Sequence, residues 1–376
     1  VSIVSAAPFI VDTLVDESDG DYSEGDLSLR EAIELADAKP GLDEIQFDNA
    51  LGAGTIGLTI AQLTITDDLN LVGLGSSNLT ISGNDSVRVF QLLQSPTVTF
   101  EGLTITSGRE LTDNLTNGGG IYSTGDLELR DVLITQNSAQ GQFADGGGIF
   151  HSGGTLRLFD SIVSQNSTSG TQHIGGGIYT TGADVTVSNS TISGNTTSGS
   201  GGGIANFAGT FNLNHSTVTD NTAAVDSGGG IASFETNFIN TVITNVFSSI
   251  VSGNTNTDID HIFNAGPTAP TETVFSGGYN VIGTGNVLDR FNASMDQTNI
   301  GNPGLAALAD NGGSTQTHAL VVGSVAIDGG DTSTTLAFDQ RGTGFPRLRG
   351  PRVDVGAFEL ELVPSLSIAA TDADKP

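Results

Sequence analysis

The chain has 376 residues, with 52 Gly, no Cys and no Trp, and its 42 acidic residues against 12 basic ones give a net charge of −30. Without Cys it cannot form a disulfide framework or a zinc knuckle, and so negative a chain repels nucleic acid. The charge leads us to expect no nucleic-acid partner. No apolar run reaches the ~18 residues of a membrane-spanning helix, so we expect no membrane span either.

An acidic segment lies near the N-terminus, where residues 12–26 contain seven acids and no base. Ca²⁺ prefers oxygen ligands, and Gly20 and Gly25 would let the segment turn around an ion. The sequence therefore suggests Ca²⁺ as a cofactor, with Asp16, Asp19, Asp21, Glu24 and Asp26 as candidate ligands. The alternative is a solvated acidic loop that precedes a helix, since a helix dipole favours negative charge at its start.

A short amphipathic helix is predicted directly after this segment. Ser28-Leu-Arg-Glu31 has the spacing of a capping box, and apolar residues follow it at helical intervals up to Ala36. Lys39-Pro40-Gly41 ends the pattern. We assign residues 1–48 to an N-terminal segment whose helix closes the first turn of the structure that follows.

Residues 49–273 contain an internal repeat. Five Gly-Gly-Gly-Ile sequences are spaced 26 to 29 residues apart, with their isoleucines at Ile121, Ile149, Ile178, Ile204 and Ile231. A second signature follows each of them and ends in asparagine, at Asn137, Asn166, Asn195, Asn221 and Asn254. Between the signatures, polar and apolar residues alternate, as in Asp126-Leu-Glu-Leu-Arg130. This period of two indicates strands with one buried face.

A repeat of this length with short strands and no helix predicts an all-β fold, a right-handed parallel β-helix in which each repeat forms one coil. Successive coils are ~4.8 Å apart because parallel strands pair at that distance. The five isoleucines should then form one internal file, and the five asparagines another at a turn. Glycine at each triplet allows a tight corner with positive φ.

The repeat disappears from about Val274, and residues 274–362 are assigned to irregular C-terminal coils and a cap. Four arginines lie between Arg341 and Arg352, and we expect them to pair with the acids of this cap. Residues 363–376 are polar and are assigned to a linker, which predicts that the chain is part of a longer multidomain protein.

Three motifs carry a resemblance to a known family: Leu27-Ser-Leu-Arg-Glu-Ala-Ile33, Asp310-Asn-Gly-Gly-Ser-Thr-Gln-Thr-His-Ala-Leu320 and Asp354-Val-Gly-Ala-Phe-Glu359. They resemble secreted bacterial parallel β-helix proteins of the choice-of-anchor Q type. The central repeats are loosely similar to those of chlamydial polymorphic outer-membrane adhesins, with Gly in place of Ala. The resemblance implies an exported, often cyanobacterial, surface protein and no known activity. The tail after Leu366 looks like the entry to a Calx-beta-type module.

A catalytic site is suggested most by Arg130 and Arg157, which we expect at matching positions near strand ends on successive coils, with Asp131 and Asp160 beside them. A polysaccharide lyase needs a basic residue to remove a proton, and a hydrolase needs paired carboxylates. The alternative for these four residues is a ladder of outward-facing ion pairs. The R-x-P-x-x-R string of pectate lyases and the G-x-D-D pattern of polygalacturonases are absent from the sequence.

The five histidines are His151, His173, His215, His261 and His318, and no two of them have the spacing of a metal-binding motif. His151 and His173 lie near the glycine triplets of neighbouring coils and could approach each other. We expect a packing or surface role for them rather than a metal site.

The sequence favours a secreted or cell-surface module that acts as a rigid spacer or adhesin-like interaction domain, with a surface polysaccharide or protein as its partner. The alternative is a polysaccharide lyase or glycoside hydrolase. The two differ in their surfaces, because an enzyme needs a groove with converging polar groups on adjacent coils.

Overall fold

The computed structural model describes residues 7–111, 117–224, 227–235, 242–263 and 274–361, and the predicted linker 363–376 lies outside these ranges. The described chain is an all-β parallel β-solenoid, as predicted, with an α-helix, α1 (Leu29–Asp37), near its start. In the described part of the chain, no helix combines the length and the apolar character that a membrane span requires.

The strands are short and follow one another around each coil. In chain order they are β1 (Phe9–Val11), β2 (Asp43–Phe47), β3 (Gly54–Gly57), β4 (Leu63–Ile65), β5 (Leu69–Val72), β6 (Leu79–Ser82), β7 (Phe90–Leu92), β8 (Thr97–Thr106), β9 (Arg109–Glu110), β10 (Ile121–Ser123), β11 (Asp126–Thr135), β12 (Ser138–Asp145), β13 (Ile149–Ser152), β14 (Thr155–Phe159), β15 (Ile162–Ser164), β16 (Ser167–Ile174), β17 (Ile178–Thr181), β18 (Ala183–Ser188), β19 (Thr191–Ser193), β20 (Thr196–Thr197), β21 (Ile204–Asn206), β22 (Gly209–Asn214), β23 (Thr217–Thr219), β24 (Ile231–Glu235), β25 (Val242–Phe247), β26 (Ile250–Val251), β27 (Ile259–Phe263), β28 (Val274–Gly278) and β29 (Val281–Ile282). Two single-turn 3-10 helices cover Asn49–Leu51 and Leu288–Arg290.

These strands form three sheets along the solenoid. Sheet 2 contains β4, β7, β10, β13, β17, β21, β24 and β27, and sheet 3 contains β9, β12, β16 and β20. The other 17 strands form sheet 1. The paired strands extend beyond the range 49–273 in both directions, because β1 and β2 join sheet 1 before it and β28 and β29 join it after it.

The predicted isoleucine file lies inside the solenoid, on sheet 2. The register pairs Ile121 with Ile149 and Ile149 with Ile178, and continues through Ile204 and Ile231. Leu63 and Phe90 extend the file before Ile121, and Ile259 extends it after Ile231. Each of these side chains is at most 1 % exposed, which confirms the prediction and makes the file the spine of the core.

The asparagine file is confirmed as a hydrogen-bonded ladder. Asn166 Oδ1 accepts from the backbone N and from Nδ2 of Asn137, each at 3.0 Å. The same pattern repeats through Asn195 and Asn221 to Asn254. At its end, Asn254 donates to Oδ1 of Asp258. Buried amides are therefore paired from coil to coil.

The glycine triplets form the corner that leads into sheet 2. The first glycine of each triplet has φ between 58° and 70°. A Cβ there would overlap the carbonyl oxygen of the isoleucine three residues later, as at Gly118 and Ile121. Both the positive φ and the close approach require glycine at this corner.

A second column of left-handed residues bends sheet 1 once in each coil. It contains Asp131, Asp160, Asn189 and His215, with φ between 45° and 53°. A serine follows the bend in several coils, and each serine Oγ accepts from the backbone of the coil before it: Ser190 Oγ from Ser161 N at 3.1 Å, and Ser216 Oγ from Ser190 N at 3.2 Å. The sequence analysis did not identify this second ladder.

The N-terminal end is closed by α1. Ser28 and Glu31 form the predicted capping box, and the four apolar residues Leu29, Ala32, Ile33 and Ala36 are at most 3 % exposed. The helix contacts β1, β2 and β4, so its apolar face covers the first coils as expected.

The C-terminal segment does more than cover the last coil. Ile300 donates to Ile282 O in the last coil, and the chain then turns back along the flank of sheet 1. We call residues 303–361 the C-terminal strap. It reaches the early coils, where Ser76 Oγ donates to Ser314 O at 2.8 Å. The strap therefore links coils from both halves of the solenoid.

Buried polar groups hold the strap in place. His318 is 2 % exposed, and its Nε2 lies 2.8 Å from Ser193 Oγ in β19. Arg341 forms an ion pair with Asp339 at 2.6 Å and lies between the rings of Phe345 and Phe358, 4.0 and 3.9 Å from their centroids. This ion pair confirms, for Arg341, the prediction that the C-terminal arginines pair with acids of the cap.

Candidate functional site

The predicted Ca²⁺ ligand Asp16 is already engaged with the protein. Its Oδ1 pairs with Arg30 Nε at 2.8 Å, and its Oδ2 accepts from the backbone N of Thr59 and Ile60. Burial raises the pKa of Asp16, but these hydrogen bonds and the charge of Arg30 outweigh burial and bring the pKa below its ordinary value. The carboxylate thus fastens the acidic segment to the first coils.

The other acids of this segment lie in a loop stabilised by its own backbone. Asp19 Oδ1 accepts from Asp21 N at 2.9 Å, and Asp21 Oδ1 accepts from Ser23 N at 3.0 Å. Glu24 is exposed and Asp26 is half-buried. In the described ranges, no group of three or more His, Asp or Glu side chains is arranged to hold a metal ion. Ca²⁺ binding stays a prediction.

The register separates the two arginines that the sequence appeared to match. Arg157 lies opposite Glu128, and Arg130 lies opposite Phe159. Arg130 is paired with Glu128 at 2.5 Å and covers the ring of Phe159 at 4.6 Å, while Arg157 donates to Thr155 Oγ1 at 2.9 Å. Both side chains are exposed. Their exposure agrees with the outward-facing alternative, although among the described residues only Arg130 of the two has an ion pair, and that pair lies within its own strand.

Asp131 and Asp160 occupy equivalent positions at the bend of sheet 1, where the strap covers them. Asp131 accepts from Ser76 Oγ at 3.1 Å, and Asp160 accepts from Asn189 Nδ2 at 2.5 Å. Thr315 of the strap donates to the carbonyl of Asp160 at 3.3 Å. Burial raises the pKa of both carboxyls. These groups connect the strap to the coils, and they do not converge with Arg157 on an open groove.

A different surface holds a cleft. The residue after each of the first three triplet isoleucines is aromatic and points away from the core, which gives an external stack on sheet 2. Tyr122, Phe150 and Tyr179 are nearly parallel, with centroids 5.0 and 5.1 Å apart and interplanar angles of 7° and 15°. Phe207 and Phe234 continue the stack at 6.2 and 5.6 Å, tilted by 35° and 38°. The stack therefore loosens where it reaches Phe207.

The cleft adjoins the looser end of the stack and has a volume of about 530 Å³. Its lining residues are Phe143, Asp145, His173, Ile174, Tyr179, Ser198, Gly199, Ser200, Phe207 and Phe234. One wall is formed by β12 and β16, which have eight residues each, whereas their neighbours β9 and β20 have two. This extra length brings Asp145 and His173 to the rim of the aromatic floor.

Asp145 is the carboxylate of the cleft. Its Oδ1 accepts from Ile174 N at 3.1 Å, and it has no Lys or Arg partner among the described residues. Burial raises its pKa to about 6, and the hydrogen bond from Ile174 lowers it by less. The carboxylate is charged at neutral pH, but only weakly stabilised by the protein.

His173 lies on β16, directly before Ile174. Ile174 is the strand partner of Asp145, and His173 is the partner of Ala144. Its side chain is 7 % exposed, and its Nε2 contacts Ser198 Oγ. Its Nδ1 is buried and has no hydrogen-bond partner. Burial lowers the pKa of His173, so the ring is neutral at neutral pH. The cleft thus combines one anion, a neutral imidazole, hydroxyls and aromatic rings.

The sequence contains a signal for part of this site. In the strand period, the residue after a buried isoleucine faces outward, and that residue is Tyr122, Phe150 or Tyr179 in three successive coils. The contribution of Asp145 and His173 depends on the length and pairing of β12 and β16, which the sequence analysis did not predict. His151 does not approach the cleft opening, since it is completely buried.

The comparisons with known proteins support the fold and do not identify a family or an activity. No family model matches the chain, and no curated protein matches its sequence. Among solved structures, the crystal structure of pectate lyase Pel9A is similar to it, with a TM-score of 0.50, 13 % identity, and coverage of 94 % of this chain and 97 % of that chain. At this identity the likeness shows a shared parallel β-helix. The choice-of-anchor Q resemblance stays a prediction.

Proposed function

We propose that the chain is a polysaccharide-binding module of a secreted or cell-surface protein, and that it holds its glycan in the cleft between sheet 2 and the wall of β12 and β16. The observation that carries this proposal is an aromatic floor beside buried polar groups in a cleft of about 530 Å³. Ligand sites of this kind have apolar walls with a few placed polar groups and typically enclose 300 to 1,000 Å³.

Sugars suit such a surface because one side of a pyranose ring is rich in C–H groups while its rim is rich in hydroxyls. The C–H groups pack on Phe143 and Phe207, and the hydroxyls hydrogen-bond to Asp145, His173 and Ser198. The rigid stack of coils keeps these groups in place, so little conformational entropy is lost when a ligand binds. An adhesin-like role follows if the glycan belongs to another surface.

The alternative is that the chain cleaves a polysaccharide, and the similarity to pectate lyase Pel9A favours it at the level of the fold. The side chains around the cleft support binding more than cleavage. Hydrolysis by paired carboxylates uses two groups ~5–10 Å apart, and Asp145 is the one carboxylate among the lining residues. A lyase uses a basic group to take a proton, and the cation-bearing side chains described above lie elsewhere.

The test is affinity electrophoresis of the whole chain through gels that contain individual soluble polysaccharides, together with an assay for new reducing ends and unsaturated products. We expect retardation in at least one gel without product. Phe143→Ala should weaken the retardation about tenfold, on the assumption that a sugar ring stacked on an aromatic side chain gains a free energy at the low end of the ~1–3 kcal/mol of a stacked nucleic-acid base.

Phe275→Ala is the matched control, because Phe275 is 39 % exposed, Phe143 is 37 % exposed, and Phe275 lies on sheet 1 away from the cleft. Equal weakening by both substitutions, or no retardation in any gel, would contradict the proposed site. Product formation that Asp145→Asn abolishes would instead establish the enzymatic alternative.

A further inference from the structure

We propose that the cleft selects glycans that carry positively charged amino groups, of the glucosamine type, over neutral glycans and over polyuronates. This inference rests on the proposed function and names the ligand class of the same cleft. It is based on the charges, ring geometry and unpaired polar atoms that line the site.

The first argument is the charge of the cleft. Asp145 is the single formally charged side chain among the ten lining residues, and no described Lys or Arg neutralises it. The whole chain has a net charge of −30, which concentrates cations around it. An ammonium group of a ligand would supply the missing partner of Asp145. A hydrogen bond to a charged group is stronger than one between neutral groups.

The second argument is the aromatic floor. An ammonium within ~6 Å of a ring centroid is attracted to the electron-rich face of the ring. The stack opens at Phe207, whose ring is tilted by 35° from Tyr179 and by 38° from Phe234, so the rings there are less completely covered by one another. A carboxylate next to partly uncovered ring faces is suited to an organic cation.

The third argument is the unpaired nitrogen of His173. When Nε2–H donates to Ser198 Oγ, Nδ1 is an acceptor, and this atom has no partner within the protein. His173 lines the cleft and is 7 % exposed. A buried acceptor without a partner is costly, and a hydroxyl or ammonium donor of a ligand would satisfy it once the ring turns Nδ1 toward the cleft.

The same features disfavour a polyuronate. Its carboxylates would enter a cleft whose charge is negative, on a chain whose net charge is negative. Like charges brought together at an interface are destabilising and suppress the wrong partner. The ligand class proposed here therefore differs from pectate, after which the lyase that shares the fold is named.

The experiment is calorimetric titration of the whole chain at pH 6.5, where Asp145 and the amino groups of a glucosamine oligomer are both substantially charged, with three hexasaccharides that share a β-1,4-linked pyranose backbone: glucosamine, glucose and glucuronate. We expect the glucosamine hexamer to bind about tenfold more tightly than the glucose hexamer, which corresponds to ~1.4 kcal/mol. The glucuronate hexamer should bind most weakly. Asp145→Asn should remove the preference, so that the glucosamine and glucose hexamers bind with equal affinity, and an unchanged circular dichroism spectrum would show that the variant is folded.

The control is Asp184→Asn, which removes the same charge from an exposed position on β18 of sheet 1. If it reduces the glucosamine preference as much as Asp145→Asn, the preference arises from net charge and the inference is wrong. If glucose binds as tightly as glucosamine, the inference is wrong while the proposed function stands. If no hexamer binds, the inference is wrong, while the proposed function is decided by the gel experiment above. Tightest binding of glucuronate would contradict the inference and favour a lyase.

Discussion

A single buried histidine makes the stability of this solenoid depend on pH. His151 is fully buried in β13, and neither of its ring nitrogens has a hydrogen-bond partner. Burial lowers its pKa to about 4, although Asp126 opposes the shift. The neutral ring is accommodated by the core, whereas the charged ring would be an unpaired buried cation.

His151 should therefore make the protein sensitive to acid. Since its pKa in the folded state is below the unfolded value near 6.5, its contribution to stability is complete above pH 6.5 and is lost as the pH falls toward 4. The loss amounts to roughly 3 kcal/mol. Denaturant unfolding at a series of pH values should show a shallower decline for His151→Gln than for the wild type. Parallel curves would contradict the assigned role.

At the level of elements, the asparagine ladder joins the coils at one corner. Each internal rung both donates and accepts: Asn195 donates through Nδ2 to Asn221 Oδ1 and Val163 O, and accepts from Asn166. The last position is Asp258, which only needs to accept. A carboxylate is suitable at the end of the ladder, but an amide is required inside it.

Asn195→Asp should thus be strongly destabilising. The substitution removes both Nδ2 hydrogen bonds, so that Val163 O loses this donor and Asn221 Oδ1, which keeps the backbone N of Asn195, faces a carboxylate oxygen, at a cost of more than about 2 kcal/mol. Urea unfolding of the variant measures the change in free energy. Gln165→Glu makes the same chemical change at an exposed residue nearby and should have little effect. Similar losses for both variants would mean that added charge, rather than the ladder, is responsible.

At the level of the whole molecule, stability passes from coil to coil, because each coil is supported by its neighbours. The file on sheet 2 runs through all eight strands of that sheet. The strap adds contacts between distant coils, since it touches Ser76 near the start of the solenoid and Ser248, between β25 and β26, near its end. A defect in a central coil should consequently affect more than its own turn.

Ile178→Ala tests this coupling. The side chain is fully buried between Ile149 and Ile204, and its truncation should cost about 2–5 kcal/mol through lost burial and the cavity left behind. Hydrogen exchange should increase in the coils of both neighbours more than in α1. Val322→Ala, at a residue that is 86 % exposed, is the control. A loss below ~1 kcal/mol, or exchange confined to one coil, would contradict the model of mutual support.

The periodic part of the protein could be predicted from its amino-acid sequence alone. Repeats of nearly constant length place Ile121, Ile149 and Ile178 in one file and the asparagines in another, because parallel pairing at a fixed spacing leaves equivalent residues above one another. The capping box at Ser28 is also a local pattern, and it forms as predicted. These features depend on neighbours along the chain or on exact repetition.

The contacts of the non-periodic parts became visible in the tertiary structure and could not be predicted from the sequence. Arg130 and Arg157 appeared equivalent, but the strand register offsets them by two residues. The C-terminal strap contacts coils more than a hundred residues away, as in the pairing of His318 with Ser193. The cleft requires β12 and β16 to be longer than their neighbours, so that Asp145 and His173 meet the aromatic floor. Such contacts join residues distant in sequence without a repeating interval, and a local pattern carries no record of them.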